Sequence, residues 1–83
     1  MARYFLHLHN SIGYVPDDEG HDLRDLDAAR ESAVQSIRDM VSADARAGMI
    51  HLQGRIEIRD ETDAVLETVK YTDAVQVQGG DEA

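Results

Sequence analysis

The chain contains no cysteine and no tryptophan, and it has one phenylalanine and one proline in 83 residues. Without cysteine, it has neither disulfides nor a thiol nucleophile. A single core of this size rarely supplies more than about 3–5 kcal/mol, and the usual additional sources of stability are disulfides, a metal or association with a partner. Since the first is excluded and large aromatic residues are few, association or metal binding becomes the expected way to add stability.

Long apolar runs are also missing. No continuous apolar stretch approaches the roughly 20 residues that a bilayer-spanning helix needs. The first residues carry no apolar segment of the kind that follows the charged start of a signal peptide. We therefore expect a soluble, cytoplasmic protein that does not associate with membranes.

Positive charge is scarce. Eight Lys and Arg stand against seventeen Asp and Glu, a formal net charge of −9. Such a chain repels phosphate backbones and anionic lipids. We expect no nucleic-acid partner, whereas a basic protein partner is compatible with the charge.

The N-terminal third alternates like a β-strand and then turns. Residues Arg3 to His9 place Tyr4, Leu6 and Leu8 on one face, as the two-residue period of a strand requires. Asn10 to Gly13 favours a turn, so that Tyr14 and Val15 form a hairpin or a bent return. Pro16 to Gly20, with three consecutive acidic residues, predicts a surface loop.

The next segment has the period of a helix. Apolar residues recur at spacings of three and four from residue 26 to about residue 47. Asp25 is the expected N-cap and Gly48 the expected C-terminal stop, with Arg46 in the last turn. The apolar stripe consists of Leu26, Ala29, Ala33, Ile37, Met40 and Val41.

After Gly48 the period returns to alternation. Ile50, Leu52, Ile56 and Ile58 alternate, and a second run from Val65 to Tyr71 completes a predicted hairpin. Its acidic loop, from Asp60 to Asp63, lacks the Asp-Gly pair of a tight turn and predicts a loop of about three to five residues. Either face of the second run could point inward.

The sequence thus predicts an α+β fold, an antiparallel sheet of three to four strands packed on one long helix, in the order β-(β)-α-β-β. Residues 72–77 favour a helical turn or a short last strand. We expect one domain over residues 1–77 and a disordered acidic tail over residues 78–83.

Four histidines are the candidate metal ligands. His7 and His9 lie on the same side of a strand, within reach of one metal ion. A zinc site needs further ligands, and the candidates His21, His51, Asp17 and Asp18 lie on segments that the sequence does not position. The simpler interpretation is two histidines on a partly exposed strand face, so no metal or cofactor is assigned.

No catalytic constellation can be assembled. The acidic clusters at residues 17–19 and 60–63 lack the calcium-loop pattern and are more simply solvated turns. Ser11, Ser32, Ser36 and Ser42 are not flanked by a nucleophile-elbow motif, and no glycine-rich phosphate loop is present. We therefore expect that the chain is not an enzyme and assign no catalytic residue.

Several stretches together resemble a family of short proteins, common in alphaproteobacteria, that is catalogued as a domain of unknown function. In that family the late hairpin usually turns on Asp-Gly, where this chain has Asp63-Ala64. The resemblance implies no catalytic or binding residue. The stretches that carry it are Arg3-Tyr4-Phe5-Leu6-His7-Leu8, Pro16-Asp17-Asp18-Glu19-Gly20, Asp25-Leu26-Asp27-Ala28-Ala29-Arg30, Gly54-Arg55-Ile56-Glu57-Ile58-Arg59-Asp60 and Asp73-Ala74-Val75.

The layout is also similar in outline to small antitoxin domains of the HicB type, which cover a toxin surface. Three hypotheses for function follow. The first is a non-catalytic interaction or regulatory module that self-associates, with a homodimer as the expected form, because one helix cannot cover every strand and edge strands are open to pairing. The others are a metal- or small-ligand-binding domain that uses His7 and His9, and an antitoxin-like partner of a basic protein.

Overall fold

The computed structural model describes residues 1–78, and it shows five strands and two helices in the order βββαββα. The strands are β1 (Ala2–Asn10), β2 (Tyr14–Val15), β3 (His21–Leu23), β4 (Gly54–Arg59) and β5 (Val65–Lys70), and the helices are α1 (Leu26–Ala47) and α2 (Tyr71–Ala74). This confirms the predicted α+β class, an antiparallel sheet with one long helix. Apart from Gln78, the predicted tail (78–83) lies outside the described residues, and the domain boundary at residue 77 stays a prediction.

All strand pairs are antiparallel, and β1 lies at the centre. The order across the sheet is β2-β1-β4-β5, and β3 pairs with β1 on the same side as β2. Two of the five strands are thus short halves of one interrupted strand, β2 beside residues 8–9 and β3 beside residues 2–4. The sequence predicts β2 as a return of the chain, whereas β3 has no counterpart among the predicted strands.

Helix α1 begins and ends where local chemistry predicts. The Asp25 side chain accepts a hydrogen bond from the Ala28 N–H at 2.9 Å, which satisfies one of the unpaired donors of the first turn. At the other end Gly48 adopts φ 95°, a left-handed conformation that costs glycine little. The predicted bounds of the helix, 26 to 47, are confirmed.

The helix packs its alanine-rich stripe on one face of the sheet. Ala29, Ala33 and Ile37 are completely buried, and small residues at two of these positions let the helix axis approach the strands closely. The sheet contributes residues that alternate along their strands, as the two-residue period requires. The buried core consists of Tyr4, Ala29, Ala33, Ile37, Ile56, Ile58, Val69, Tyr71 and Ala74.

The strand predicted around Ile50 and Leu52 is wrong. Residues 49–53 form no strand, and β4 begins only at Gly54. The reason is the length of the partner: Asn10 is the last residue of β1 and pairs with Gly54, so the preceding residues have no neighbouring strand to bond with. Ile50 is consequently half-exposed.

The hairpin between β4 and β5 has a five-residue loop, as predicted. Asp60 organises it, since its carboxylate accepts hydrogen bonds from the Thr62 hydroxyl and from the N–H groups of Thr62 and Ala64. Asp63 takes a positive φ of 68°, which aspartate tolerates better than most residues. A register shift beside Ile58 and Arg59 then sets which side chains of β5 point inward.

In β5 the inward face contains Glu67 and Val69, which resolves the alternative left open by the sequence. Val69 is buried, whereas Leu66 on the other face is 40% exposed. Tyr71, predicted as the last strand residue, is instead the first residue of α2. The strand stops there because the Asp73 carboxylate accepts the Lys70 N–H and the Val75 N–H bonds to the Tyr71 carbonyl.

Candidate interaction surfaces

One face of the sheet, here called the open face, has no helix on it among residues 1–78. Its side chains come from the alternate positions of the strands that form the core on the other side. Arg3, Arg55, Arg59 and Lys70, four of the chain's eight Lys and Arg residues, occupy such positions. In a chain with a net charge of −9 this is a local concentration of positive charge.

A line of aromatic rings runs along the side of the open face formed by β1 and β2. The rings of Phe5 and His7 have centroids 6.4 Å apart and lie nearly parallel, at 11°. Tyr14 follows, 5.9 Å from His7 and 4.5 Å from His9. Tyr14 remains 52% exposed, so this ring is accessible to a partner.

One cross-strand set of residues spans the whole sheet. The pairing places Tyr14 opposite His9, His9 opposite Arg55, and Arg55 opposite Lys70. These four residues, here called the cationic row, run from the first strand of the order to the last. Directly opposite residues have Cβ atoms about 5 Å apart, so the row is continuous.

The next row contains the carboxylate that balances part of this charge. Glu57 lies opposite His7 and accepts a hydrogen bond from Arg59 at 2.8 Å, with Arg55 Nε 3.6 Å away. That bond from Arg59 lowers the pKa of Glu57 despite an opposing contribution from burial, and the neighbouring charges of Arg59, His9 and Arg55 lower it further. The Glu57 carboxylate thus lies close to the guanidinium groups of both Arg55 and Arg59.

Two buried side-chain nitrogen atoms of this face, His9 Nε2 and Arg59 Nε, have no hydrogen-bond partner among residues 1–78. The Nε2 atom of His9 is buried and lies 3.5 Å from the Glu57 carboxylate, but it makes no hydrogen bond to any residue in the range 1–78. A buried polar atom in this state is unfavourable unless another partner satisfies it. The position is notable because His9 is the second member of the cationic row.

Asp17 closes the gap between β2 and β3. Its carboxylate accepts hydrogen bonds from the Leu6 N–H at 3.1 Å and the Gly20 N–H at 3.0 Å, and it lies 3.2 Å from His21 Nε2. The Leu6 donor would otherwise lack a partner where the strand is interrupted. The sequence predicts a solvated turn around Asp17, but the Asp17 side chain is only 18% exposed.

These contacts shift the ionisation of Asp17. Burial by itself raises its pKa, but the bonds from Leu6 and Gly20 and the charges of His21 and His7 outweigh it, so the pKa of Asp17 lies below its ordinary value. Gly20 is constrained as well: with φ 77°, an added Cβ would lie 2.9 Å from the Phe5 ring. The loop of residues 16–20 is therefore held against β1 by specific hydrogen bonds and by close packing.

The structure orients His7 and His9 toward different partners. His7 Nδ1 accepts the Asp17 N–H at 3.1 Å and lies 3.2 Å from the Tyr14 hydroxyl, while His9 faces Glu57. Within residues 1–78 no group of three His, Asp or Glu side chains is arranged to hold a metal ion. Asp18 is exposed, and His51 lies at the other end of the molecule from His21.

His51 belongs to a separate shallow pocket at the C-terminal end of α1. Its backbone N–H donates to the Asp44 carboxylate at 3.2 Å, and the pocket is also lined by Ser11, Met40 and Tyr71. In the described part of the chain no hydrogen bond joins the Ser11 hydroxyl to the His51 ring. Serine, histidine and aspartate, the residue types of a Ser-His-Asp site, thus line one pocket as Ser11, His51 and Asp44. The described residues lack the hydrogen bond from serine to histidine that would activate the serine.

The last strand, β5, has one free side. Among the described residues it pairs with β4 alone, so its other row of N–H and C=O groups is open. Val65 and Leu66, 50% and 40% exposed, lie at the start of this edge. No signal in the sequence distinguished this strand from β4 as the edge, because that order depends on β1 pairing with β4.

Across residues 1–78, neither helix combines the length and the apolar character needed to cross a membrane.

Comparisons with known proteins give one match. Neither the curated proteins nor the solved structures contain a significant match to the chain. A family model described as "Domain of unknown function (DUF6894)" matches residues 3–72, which include most of the chain and the whole sheet except Ala2, the first residue of β1. The match confirms the resemblance to a domain of unknown function. The chain belongs to the DUF6894 family.

Proposed function

We propose that this protein is a non-catalytic interaction module that self-associates, and that two copies pair through β5 to form a homodimer. The observation that carries the proposal is the free side of β5, a six-residue strand that pairs with β4 on one side and with none of the described residues on the other. An exposed strand edge presents ready-made hydrogen-bonding groups to another strand. Addition of a strand to such an edge is a common mode of protein recognition.

The composition of β5 supports this pairing. The strand contains no proline, and its first two residues, Val65 and Leu66, expose apolar surface that a second copy would cover. Glu67 does not obstruct the edge, because it is held on the helix side by Arg30, with two hydrogen bonds of 2.5 and 2.8 Å. The start of the edge is therefore apolar and free of proline, whereas the charge of Lys70 lies at its far end.

The geometry of such a dimer is simple. Antiparallel pairing of two β5 strands about a two-fold axis perpendicular to the sheet would join the two sheets into one. Both copies of α1 would lie on one side and both open faces on the other. The small core of each copy would gain a shared apolar contact, which is the type of stabilisation that a short chain without disulfides needs.

The arrangement of Ser11 and His51 in the described residues supports the non-catalytic part of the proposal. The Ser11 hydroxyl and the His51 ring share a pocket without a hydrogen bond between them in the described residues. The bacterial and cytoplasmic setting stays a prediction.

The test is the mass of the protein in solution, measured by sedimentation equilibrium over a range of concentrations. We expect a dimer for the wild type and a monomer for Leu66→Lys, because the substitution places a charge in the exposed apolar surface of the pairing edge in both copies. Ile12→Lys is the matched control: Ile12 is 93% exposed in the turn between β1 and β2, and its replacement should leave the dimer intact.

Salt gives a second criterion. Each copy carries a net charge of −9, so mutual repulsion opposes association and is screened as ionic strength rises. The dimer should therefore strengthen with salt. A wild type that remains monomeric at all concentrations and salt levels contradicts the proposal, as does a dimer that Leu66→Lys leaves unchanged.

A further inference from the structure

We propose that the cationic row binds a nucleotide, with the phosphate between Arg55 and Lys70 and the base against Tyr14. The site lies on the open face and is complete within one copy, and of its residues only Lys70 belongs to β5, the strand that the dimer would use. The inference therefore does not depend on self-association.

The two fixed charges are adjacent. Arg55 and Lys70 lie directly opposite each other on β4 and β5, and their side chains project from the same face. Within residues 1–78 the Lys70 ammonium forms no ion pair, and the nearest carboxylate contact of Arg55 is Glu57 at 3.6 Å, longer than a hydrogen bond. Both groups thus have donors available for the oxygens of a phosphate.

The surroundings of this end of the open face favour an anion. A shallow pocket opens beside the row and is lined by His9, Asn10, Ser11, Gln53, Gly54 and Arg55, none of which is acidic. The acidic loops that flank the open face lie beside or beyond its other end, at residues 16–20 and 60–64. The pocket beside Arg55 therefore has no carboxylate in its own lining, and the acidic groups closest to the two cations are Glu57, 3.6 Å from Arg55 Nε, and Asp73, which accepts the Lys70 N–H.

The aromatic end of the row supplies a surface for a planar ring. Tyr14 is 52% exposed and is supported from below by His9, whose ring centroid lies 4.5 Å away. An exposed ring that a neighbouring side chain already holds in place can stack on a base with little additional loss of conformational entropy. Strands in a sheet are about 4.8 Å apart, so Tyr14 and Arg55 are separated by about 10 Å, which the long arginine side chain shortens.

The charge distribution favours a compact ligand over an extended one. A long single strand laid across the open face would bring further phosphates close to the acidic loops and to a chain with net charge −9. A single nucleotide places its phosphate near two cations and extends no further. The same argument disfavours an acidic polypeptide that crosses the sheet.

The experiment is a titration followed by NMR chemical shifts, with AMP, adenosine and inorganic phosphate as separate probes. We expect AMP to perturb the amides around Tyr14, His9, Arg55 and Lys70, and to bind at least ten-fold more tightly than either adenosine or phosphate. Arg55→Gln should weaken AMP about ten-fold. Tyr14→Ala should remove the advantage of AMP over inorganic phosphate.

Arg46→Gln is the matched control. Arg46 lies in the last turn of α1, on the other side of the sheet, and its replacement changes the net charge by the same amount. It should leave AMP binding unchanged, which separates a local site from a general charge effect. Equal weakening by both substitutions overturns the proposal.

Three further outcomes also contradict it. The first is the absence of any shift with AMP, and the second is equal binding of AMP and inorganic phosphate, which would reveal a bare anion site. The third is much tighter binding of an eight-nucleotide single strand than of AMP, which would make the open face a nucleic-acid surface. Since sedimentation measures dimer formation separately, failure of this inference and failure of self-association are distinguishable.

Discussion

The two faces of the sheet are made by alternate residues of the same strands, yet they differ in almost every property. On the helix-covered face Ile56, Ile58 and Val69 are 3%, 0% and 4% exposed. On the open face, the neighbouring residues Arg55, Glu57 and Lys70 are charged, and no side chain in the described part of that face is fully buried. The covered face provides the stability, which leaves the open face free to carry charge and exposed rings.

This difference tells where functional residues are to be sought. A residue in the core is restricted by volume and by the cost of burying polar atoms. A residue of the open face is not restricted in this way. The aromatic rings and cationic side chains on that face are therefore not explained by packing. The following variants test whether substitutions on the two faces change the free energy of unfolding by different amounts.

The largest effect is expected from a charge at the centre of the helix–sheet contact. Ala33 is completely buried, and Ala33→Asp would place an unpaired carboxylate there, at a cost of about 3–5 kcal/mol. Because a single core of this size supplies only about 3–5 kcal/mol, the variant should be largely unfolded. Circular dichroism during heating measures this.

Ala43→Asp is the control on the same helix. Ala43 is exposed, so the substitution should lower the melting temperature only slightly. If the two variants melt alike, the assignment of the buried stripe of α1 is wrong.

The second comparison removes apolar volume from each face. Ile58→Ala, at a fully buried position, should lower the free energy of unfolding by about 2–5 kcal/mol. Leu66→Ala, at a position 40% exposed on the open side of β5, should lower it by less than about 1 kcal/mol. Urea denaturation of the monomeric protein, at low concentration, gives both values. Equal losses would show that the open face is covered in solution.

The third variant tests the support of β1 by the loop between β2 and β3. Asp17→Asn keeps one carbonyl acceptor but loses the second, so either the Leu6 or the Gly20 N–H is left without a partner. We expect a loss of about 1–3 kcal/mol in the free energy of unfolding. Asp18→Asn, at the exposed neighbouring position, should have no measurable effect.

The pH dependence of this variant has a defined sign. The folded-state pKa of Asp17 lies below its ordinary value, which is about 3.9 in an unfolded chain. The ionised carboxylate therefore contributes its stability in full above that value and loses it as the pH falls through the lower folded-state pKa. The difference between wild type and Asp17→Asn should be constant near neutral pH and shrink in acid. A difference that grows in acid would contradict the assigned contacts.

The smallest effect is expected at the ion pair that joins α1 to β5. Arg30 donates two hydrogen bonds to Glu67, but its side chain is 42% exposed, so water and salt screen the interaction. Arg30→Gln should lower the unfolding midpoint slightly, and the difference from wild type should decrease as salt is added. Arg46→Gln, which removes a charge that pairs with none of residues 1–78, is the reference. A large, salt-independent loss for Arg30→Gln would show that the pair is more than a surface contact.

Local patterns were sufficient for a large part of the fold. The bounds of α1 follow from a cap, a stop and an apolar stripe, all of which act within a few residues of one another. The hairpin of β4 and β5 and its five-residue loop were also predictable, because both strands and the turn are adjacent in sequence. The strand expected at Ile50 failed for the opposite reason, since pairing there would have needed a longer β1.

The candidate site was predictable only in part. The sequence placed His7 and His9 on one side of a strand, but it did not show that Asp17 engages the first and Glu57 the second. It also gave no indication that Tyr14, His9, Arg55 and Lys70 form one row, since they come from four strands.

The sequence by itself determined which residues form the helix, where it starts and stops, and which residues of each strand share a face, because capping and periodicity are properties of neighbouring residues. The tertiary structure alone decided the order of the strands, the inward face of β5, its free edge and the cationic row. These depend on pairing between residues as far apart in the chain as Phe5 and Arg59, where the choice of partner and register is made by the packing of the whole sheet against α1.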